Sequence, residues 1–157
     1  MNAPPQQYRL LKRLYQGRSS TVSRVLLPGR DVPVIVKQLD RGRCAPGAPS
    51  RLQHEFELLA TLELEGVPKA LEQREFERGP ALVFADREAH SLRQAMRPGS
   101  REWHDWLALM IRVCELLGRL HEARVIHKQI NPDHILVSSV GDPLLIEKVF
   151  ENLLRNA

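Results

Sequence analysis

Three short runs, YRLLKRLY, TVSRVLL and VPVIVKQL, follow one another within residues 8–39, and the breaks between them are QGRSS and PGRD. Each run is β-branched or alternates apolar with polar residues, and each break is turn chemistry, so the pattern predicts strands joined by tight turns. PGRD suits a hairpin between the second and third strands. ALEQREFE and PALVFAD, on either side of the turn RGP, predict two more. Between the third and fourth strands lies RGRCAPGAP, rich in Gly and Pro and expected to be a mobile loop. Ser50 then opens a helix. Ser50 and Gln53 form a capping-box pattern, Leu52, Phe56, Leu59 and Leu62 share one face, and Gly66 and Pro68 end it. This half is constrained to a small antiparallel sheet carrying one helix.

The second half has another period. Ser100 is placed to cap a helix from Arg101 to about Glu122, with Trp103, Trp106, Leu107, Met110, Val113, Cys114, Leu117 and Leu120 at helical spacing. VIHKQINPDHILV then reads as strand, loop and strand, because Asn131-Pro132-Asp133 is a turn, and GDP closes a hairpin into LLIE. KVFENLLRNA sets Val149, Phe150, Leu153 and Leu154 on one side of a short helix, which would fold back over apolar surface. The fold class expected is α+β.

Composition excludes several functions. With 43% apolar and 27% charged residues the chain has a globular profile, and no apolar run nears the roughly 20 residues a membrane span needs. The net charge of +4 comes from scattered arginines, and only 5% of residues are aromatic, so neither nucleic-acid binding nor a DNA-binding motif is expected. Cys44 and Cys114 form no metal-ligand spacing. MNAPPQQ has no charged segment leading into an apolar one, so a cytoplasmic location is expected.

The succession of five strands with one helix, a long helix, and then His127-Lys128-Gln129-Ile130-Asn131-Pro132-Asp133-His134-Ile135-Leu136 resembles a protein kinase. The loop looks most like the HKDINPxNILV segment of kinase-like domains at the N-terminus of bacterial multidomain proteins that carry ATPase and sensor histidine kinase modules. The resemblance implies a disordered residue 1–7 segment and a truncated domain over 8–157, with a smaller lobe at 8–86 and a partial, mostly helical larger lobe at 87–157. It implies a site as well. Val34-Ile35-Val36-Lys37 resembles the strand whose lysine contacts nucleotide phosphates, with Glu55 as its carboxylate partner; the alternative, which the loop at 127–136 disfavours, is an edge-strand lysine facing solvent. Gly17 is the surviving glycine of a phosphate loop and Val22 the residue over a purine ring. Ile35 stands where kinases often have alanine, Phe84 at the gatekeeper position, and Ala85, Asp86 and Arg87 at the hinge. Ile35 and Phe84 equally suit the core of a sheet.

The same resemblance exposes what is missing. The catalytic aspartate is replaced by Gln129, which takes up no proton at neutral pH, and loss of a general base typically removes roughly 10²–10⁴ in rate. His134 replaces the metal-binding asparagine, and a hard cation prefers oxygen. Glu147 stands alone as a metal ligand, in place of the aspartate of Asp-Phe-Gly. His127 would pack and hydrogen-bond, while Asn131 carries no inference. The expectation is therefore a degenerate kinase-like module that acts by protein binding, as a regulator or scaffold in bacterial signalling. Its cofactor would be ATP with Mg²⁺, or none. A protein partner or homo-oligomer is expected from apolar residues around more than one face of the long helix. The alternatives are a residual serine/threonine phosphotransferase, with Asp133 or Asp142 as substitute base, and a scaffold whose pocket Ile35 and Phe84 close.

Overall fold

The computed structural model describes residues 8–96, 102–126, 130–133, 135–137 and, by backbone, 143–145. The five predicted strands are β1 (Arg9–Gln16), β2 (Ser20–Leu26), β3 (Val34–Leu39), β4 (Ala70–Phe76) and β5 (Gly79–Ala85). They form one antiparallel sheet in the order β1-β2-β3-β5-β4. The PGRD turn closes by a bond from the Arg30 N–H to the Leu27 carbonyl at 3.1 Å. β3 is central and all six of its residues are buried. Its alternation divides two packed faces. Val34 and Val36 join Val25, Leu27, Phe76, Ala81 and Val83 in a cluster on one face. Tyr8 packs on that cluster with its ring edge-on to Phe76, centroids 4.9 Å apart. Ile35, Lys37 and Leu39 point to the opposite face.

α1 (Ala48–Thr61) packs on β4 and β5. It starts two residues before the expected Ser50, and the first helical bond runs from the Arg51 N–H to the Gly47 carbonyl. Ser50 is thus inside the first turn and is no cap. The buried stripe is Leu52, Glu55, Leu58 and Leu59, whereas Phe56, expected among them, is half-buried. Glu55 takes the inward place because β3 offers it a cation.

By internal contacts the chain divides into two units, one running to Thr61 and resuming over Lys69–Asp86, the other comprising Leu62–Pro68 and continuing from Arg87. The second contains β6 (His90–Ser91), α2 (Leu92–Ala95), α3 (Trp103–Glu122), β7 (Ile135–Val137) and β8 (Pro143–Leu145), with an antiparallel sheet in the order β6-β7-β8. The Ser91 hydroxyl caps α2 by accepting the Gln94 N–H. α3 buries Leu109, Val113, Leu116 and Leu120, and leaves Trp103, Leu107, Met110, Ile111 and Cys114 exposed. Of the apolar positions at helical spacing, Val113 and Leu120 are buried and Trp103, Leu107, Met110 and Cys114 are exposed. Apolar residues surround so much of this helix that spacing alone does not select the buried side. Packing selects it: a Cβ on Gly66 would stand 2.7 Å from the Leu116 Cδ2, so bare backbone at that left-handed position (φ +89) is what lets Leu116 in.

α3 ends in a Schellman motif. The Val125 N–H reaches the Leu120 carbonyl at 2.9 Å and the Arg124 N–H the His121 carbonyl at 2.9 Å, with Arg124 at φ 59 where glycine is usual. The start of this helix has Glu102 at the N-cap; Ser100, the expected cap, lies outside the described residues, as do residues 1–7 and the short helix expected at 148–157. No helix among the described residues is long and apolar enough to cross a membrane.

Candidate functional site

The inner face of the first unit's sheet is built in rows. Antiparallel partners project their side chains to the same side. Arg24 opposes Ile35, and Ile35 opposes Phe84, so these three form one row across β2, β3 and β5. Val22, Lys37 and Leu82 form the next, which Tyr15 extends on β1. α1 covers this face from the Glu55 side.

Lys37 and Glu55 meet. The ammonium donates to both carboxylate oxygens, at 2.9 and 2.8 Å, and each side chain is only 2% exposed. Charges this deep persist when opposed and bonded, since an unpaired buried ion is costly. The pair ties α1 to β3. The solvent-facing alternative for Lys37 is thereby removed.

A second charge pair lies on the same face. The Arg24 Nη2 donates to the Asp86 Oδ1 at 3.0 Å, while its buried Nε lies against the other carboxylate oxygen as an ion pair without making a hydrogen bond. The side chains are 19% and 7% exposed. Arg24 starts from β2 in the Ile35 row and ends just beyond β5, so it reaches across that row. Val22, Ile35 and Phe84 are buried at 2%, 5% and 3%. The three residues assigned to a purine ring thus offer it almost no accessible apolar surface.

The turn between β1 and β2 is similarly occupied. The Gly17 N–H donates to the Ser20 carbonyl at 2.8 Å. A Cβ on Gly17 would lie 2.8 Å from the Tyr15 ring, so a larger residue there would need that ring to shift. Its backbone donor serves the hairpin.

In the second unit, the Asn131 Oδ1 accepts the Asp133 N–H at 2.9 Å, which forms the expected turn. The Arg93 Nε donates to the Asp133 Oδ1 at 2.6 Å, and the Arg93 N–H to the Pro132 carbonyl at 3.0 Å. The Asp133 hydrogen bond, and then its charge, push the Arg93 guanidinium further above its ordinary range. Asp133, weighed as a substitute base, is held by this contact. His127, Gln129, His134, Asp142 and Glu147 lie outside the described residues. Among the described residues no group of acids, histidines and cysteines is arranged to hold a metal ion.

Arg24, Tyr15 and Arg93 are the residues whose placement sequence reasoning missed. Arg24 stands two residues after Val22 and hence on the same face, a signal available from strand period alone. Its partner 62 residues away is fixed only by the strand order.

No family model matches the chain. It is similar to the serine/threonine-protein kinase PknL of Mycobacterium tuberculosis and to PknL of Mycobacterium bovis, at 28% identity over 144 residues in each case. The match takes in 90% of this chain but 36% of the relatives, so the chain spans about a third of their length. The similarity supports a protein kinase-like relationship, and the five-stranded antiparallel sheet with its single helix is a kinase N-lobe-like arrangement.

Proposed function

We propose that the chain is a kinase-like module that acts by binding a protein partner in bacterial signalling and not by phosphoryl transfer. The observation that carries this reading is the Arg24–Asp86 bridge across the Ile35 row, on a face whose Val22, Ile35 and Phe84 are already buried. An ATP-dependent enzyme needs a lined slot for the base and free donors for phosphate. Here the slot residues are covered and the Gly17 N–H is used by Ser20. Gln129 at the position of the general base points the same way. In this reading Lys37 and Glu55 hold α1 on the sheet.

Calorimetric titration with ATP, with and without Mg²⁺, tests it. The unmodified chain is expected to give no heat at millimolar nucleotide that Lys37→Ala removes. Transfer of the γ-phosphate to any acceptor, lost in Lys37→Ala, would overturn the proposal and favour a residual serine/threonine phosphotransferase. A second reading, in which nucleotide is bound but not turned over, is favoured by the Lys37–Glu55 geometry. Nucleotide binding that requires Arg24→Ala would identify the bridge as a closed gate over that site. The exposed Trp103, Leu107, Met110 and Ile111 on α3 support the protein-binding part of the reading.

A further inference from the structure

The arginines that look scattered in sequence are not all scattered in space. Arg13 on β1, Arg18 in the β1–β2 turn, Arg43 after β3 and Arg78 in the β4–β5 turn line one pocket of about 100 Å³, together with Thr21 and Asp40. Two backbone bonds hold these segments together: the Asp40 N–H to the Ser19 carbonyl at 2.9 Å, and the Arg41 N–H to the Arg78 carbonyl at 3.0 Å. Thr21 opposes Gln38, and the Gln38 side chain accepts the Tyr8 hydroxyl on the outer face. Thr21 lies on that outer face, whereas Ser20, which also lines the pocket, opposes Leu39 on the Lys37 face, so the pocket sits at the end of the sheet by the β1–β2 turn.

We infer that this pocket binds a single phosphoryl-type oxyanion. Four arginines and one carboxylate, Asp40, line the pocket, which therefore carries a local excess of positive charge. Asp40 offsets only one of the four positive charges, and removing its charge would raise the excess. Its Oδ1 accepts the Gly42 N–H at 3.0 Å, and its Oδ2 is 3.8 Å from the Arg43 Nε, a loose pair on a side chain that is 66% exposed. Arg13 is oriented by its bond to the Gln16 Oε1 at 2.8 Å. Guanidinium forks match the tetrahedral oxygens of phosphate, and several forks converging from different segments select a compact multivalent anion over chloride. Size narrows the ligand further. Pockets for whole nucleotides or drug-sized molecules run to about 300–1,000 Å³, so this one fits a lone phosphoryl group. The inference does not use Lys37 or Glu55, although Gly17 of the β1–β2 turn also lines the pocket.

The test is calorimetric titration of the full chain with inorganic phosphate, against chloride at matched ionic strength. Saturable binding to phosphate is expected. Each of Arg18→Gln, Arg43→Gln and Arg78→Gln should weaken it about tenfold or more, the usual effect of losing one charged hydrogen bond. Asp40→Asn should tighten it, an outcome that damaged folding does not produce. No chloride-corrected binding, arginine variants that bind as well as the parent, or Asp40→Asn that fails to tighten would each overturn the inference. A phosphoserine peptide run beside phosphate separates the sources. Tighter capture of the peptide assigns the site to a phosphorylated polypeptide, and equal capture to free phosphate.

Discussion

Removing the charge from Lys37 is the sharpest test of how the first unit is held together. Lys37→Met keeps the aliphatic stem in its place on β3 and deletes the ammonium that bonds both oxygens of Glu55 at 2.9 and 2.8 Å. Both side chains are 2% exposed, so water does not replace the lost cation without opening the contact between α1 and the sheet. Breaking one side of such a pair costs about 3–5 kcal/mol. A domain has about 5–15 kcal/mol in total, so at least a fifth of its stability is at stake. Urea unfolding followed by far-UV circular dichroism is the appropriate assay, because both tryptophans, Trp103 and Trp106, lie on α3 in the other unit. At a slope near 2 kcal/mol per molar urea, the midpoint should fall by about 2 M. Glu55→Leu alone should cost a similar amount, while Lys37→Met with Glu55→Leu should recover most of the loss, since a well-packed apolar pair is often neutral or better. Single variants that each lose less than about 1 kcal/mol, or a double variant no better than either, would refute the argument that this pair is buried and fastens α1.

Three further outcomes are expected. Asp86→Asn, which removes the charge that Arg24 clasps, should cost about 1.5–3 kcal/mol in the same unfolding assay. Burial pushes the Tyr8 phenol above its ordinary value of 10.0, with Arg78 and Arg13 partly opposing. A raised value in the folded state means that the stabilisation is full below the ordinary value and is lost as pH rises through the raised one. Tyr8→Phe should therefore flatten the alkaline decline of the melting temperature, at a neutral-pH cost of about 1 kcal/mol for the lost bond to Gln38. Arg124→Gly should raise stability by roughly 0.5 kcal/mol, because the left-handed position costs an ordinary residue about 1–2 kcal/mol and glycine's own flexibility offsets part of that gain; differential scanning calorimetry would check it.

Strand period made the first unit readable. All five strands fall within two residues of their expected bounds, since alternation and turn chemistry are local signals. The pairing of Lys37 with Glu55 was accessible as well, but only through the resemblance, because nothing local relates a lysine on β3 to a carboxylate 18 residues further on. The start of α1 was misplaced, since Ser50-Gln53 satisfies a capping pattern although Gly47 already accepts the first helical bond. On α3 the buried side was not legible. Trp103, Leu107 and Met110 obey helical spacing as well as Leu109, Val113 and Leu116 do, and the choice between the two stripes is made by what packs against them. The basic pocket was invisible for the same reason. Its arginines come from four segments that are joined only by backbone bonds between loops.

The two charge pairs on the inner face support different conclusions about what the site retains. A buried lysine–glutamate pair is poor evidence for stability as such, because apolar residues of similar volume usually do as well. Under the proposed non-catalytic reading, its presence argues for a geometric role, the fixed placement of α1 on β3. Arg24–Asp86 argues in the other direction. It links β2 to the end of β5 across Ile35, and a side chain spanning that row competes with any ring that would lie there. A chain selected to bind nucleotide gains nothing from an arginine in that position, whereas a chain that uses its sheet as a rigid platform gains a second fastening on the face that α1 covers. The first pair holds the helix to the sheet and the second spans the row assigned to the base. Together they fasten a sheet that resembles a kinase N-lobe, and the nucleotide titrations of the Lys37 and Arg24 variants decide which of the two pairs governs what its inner face binds.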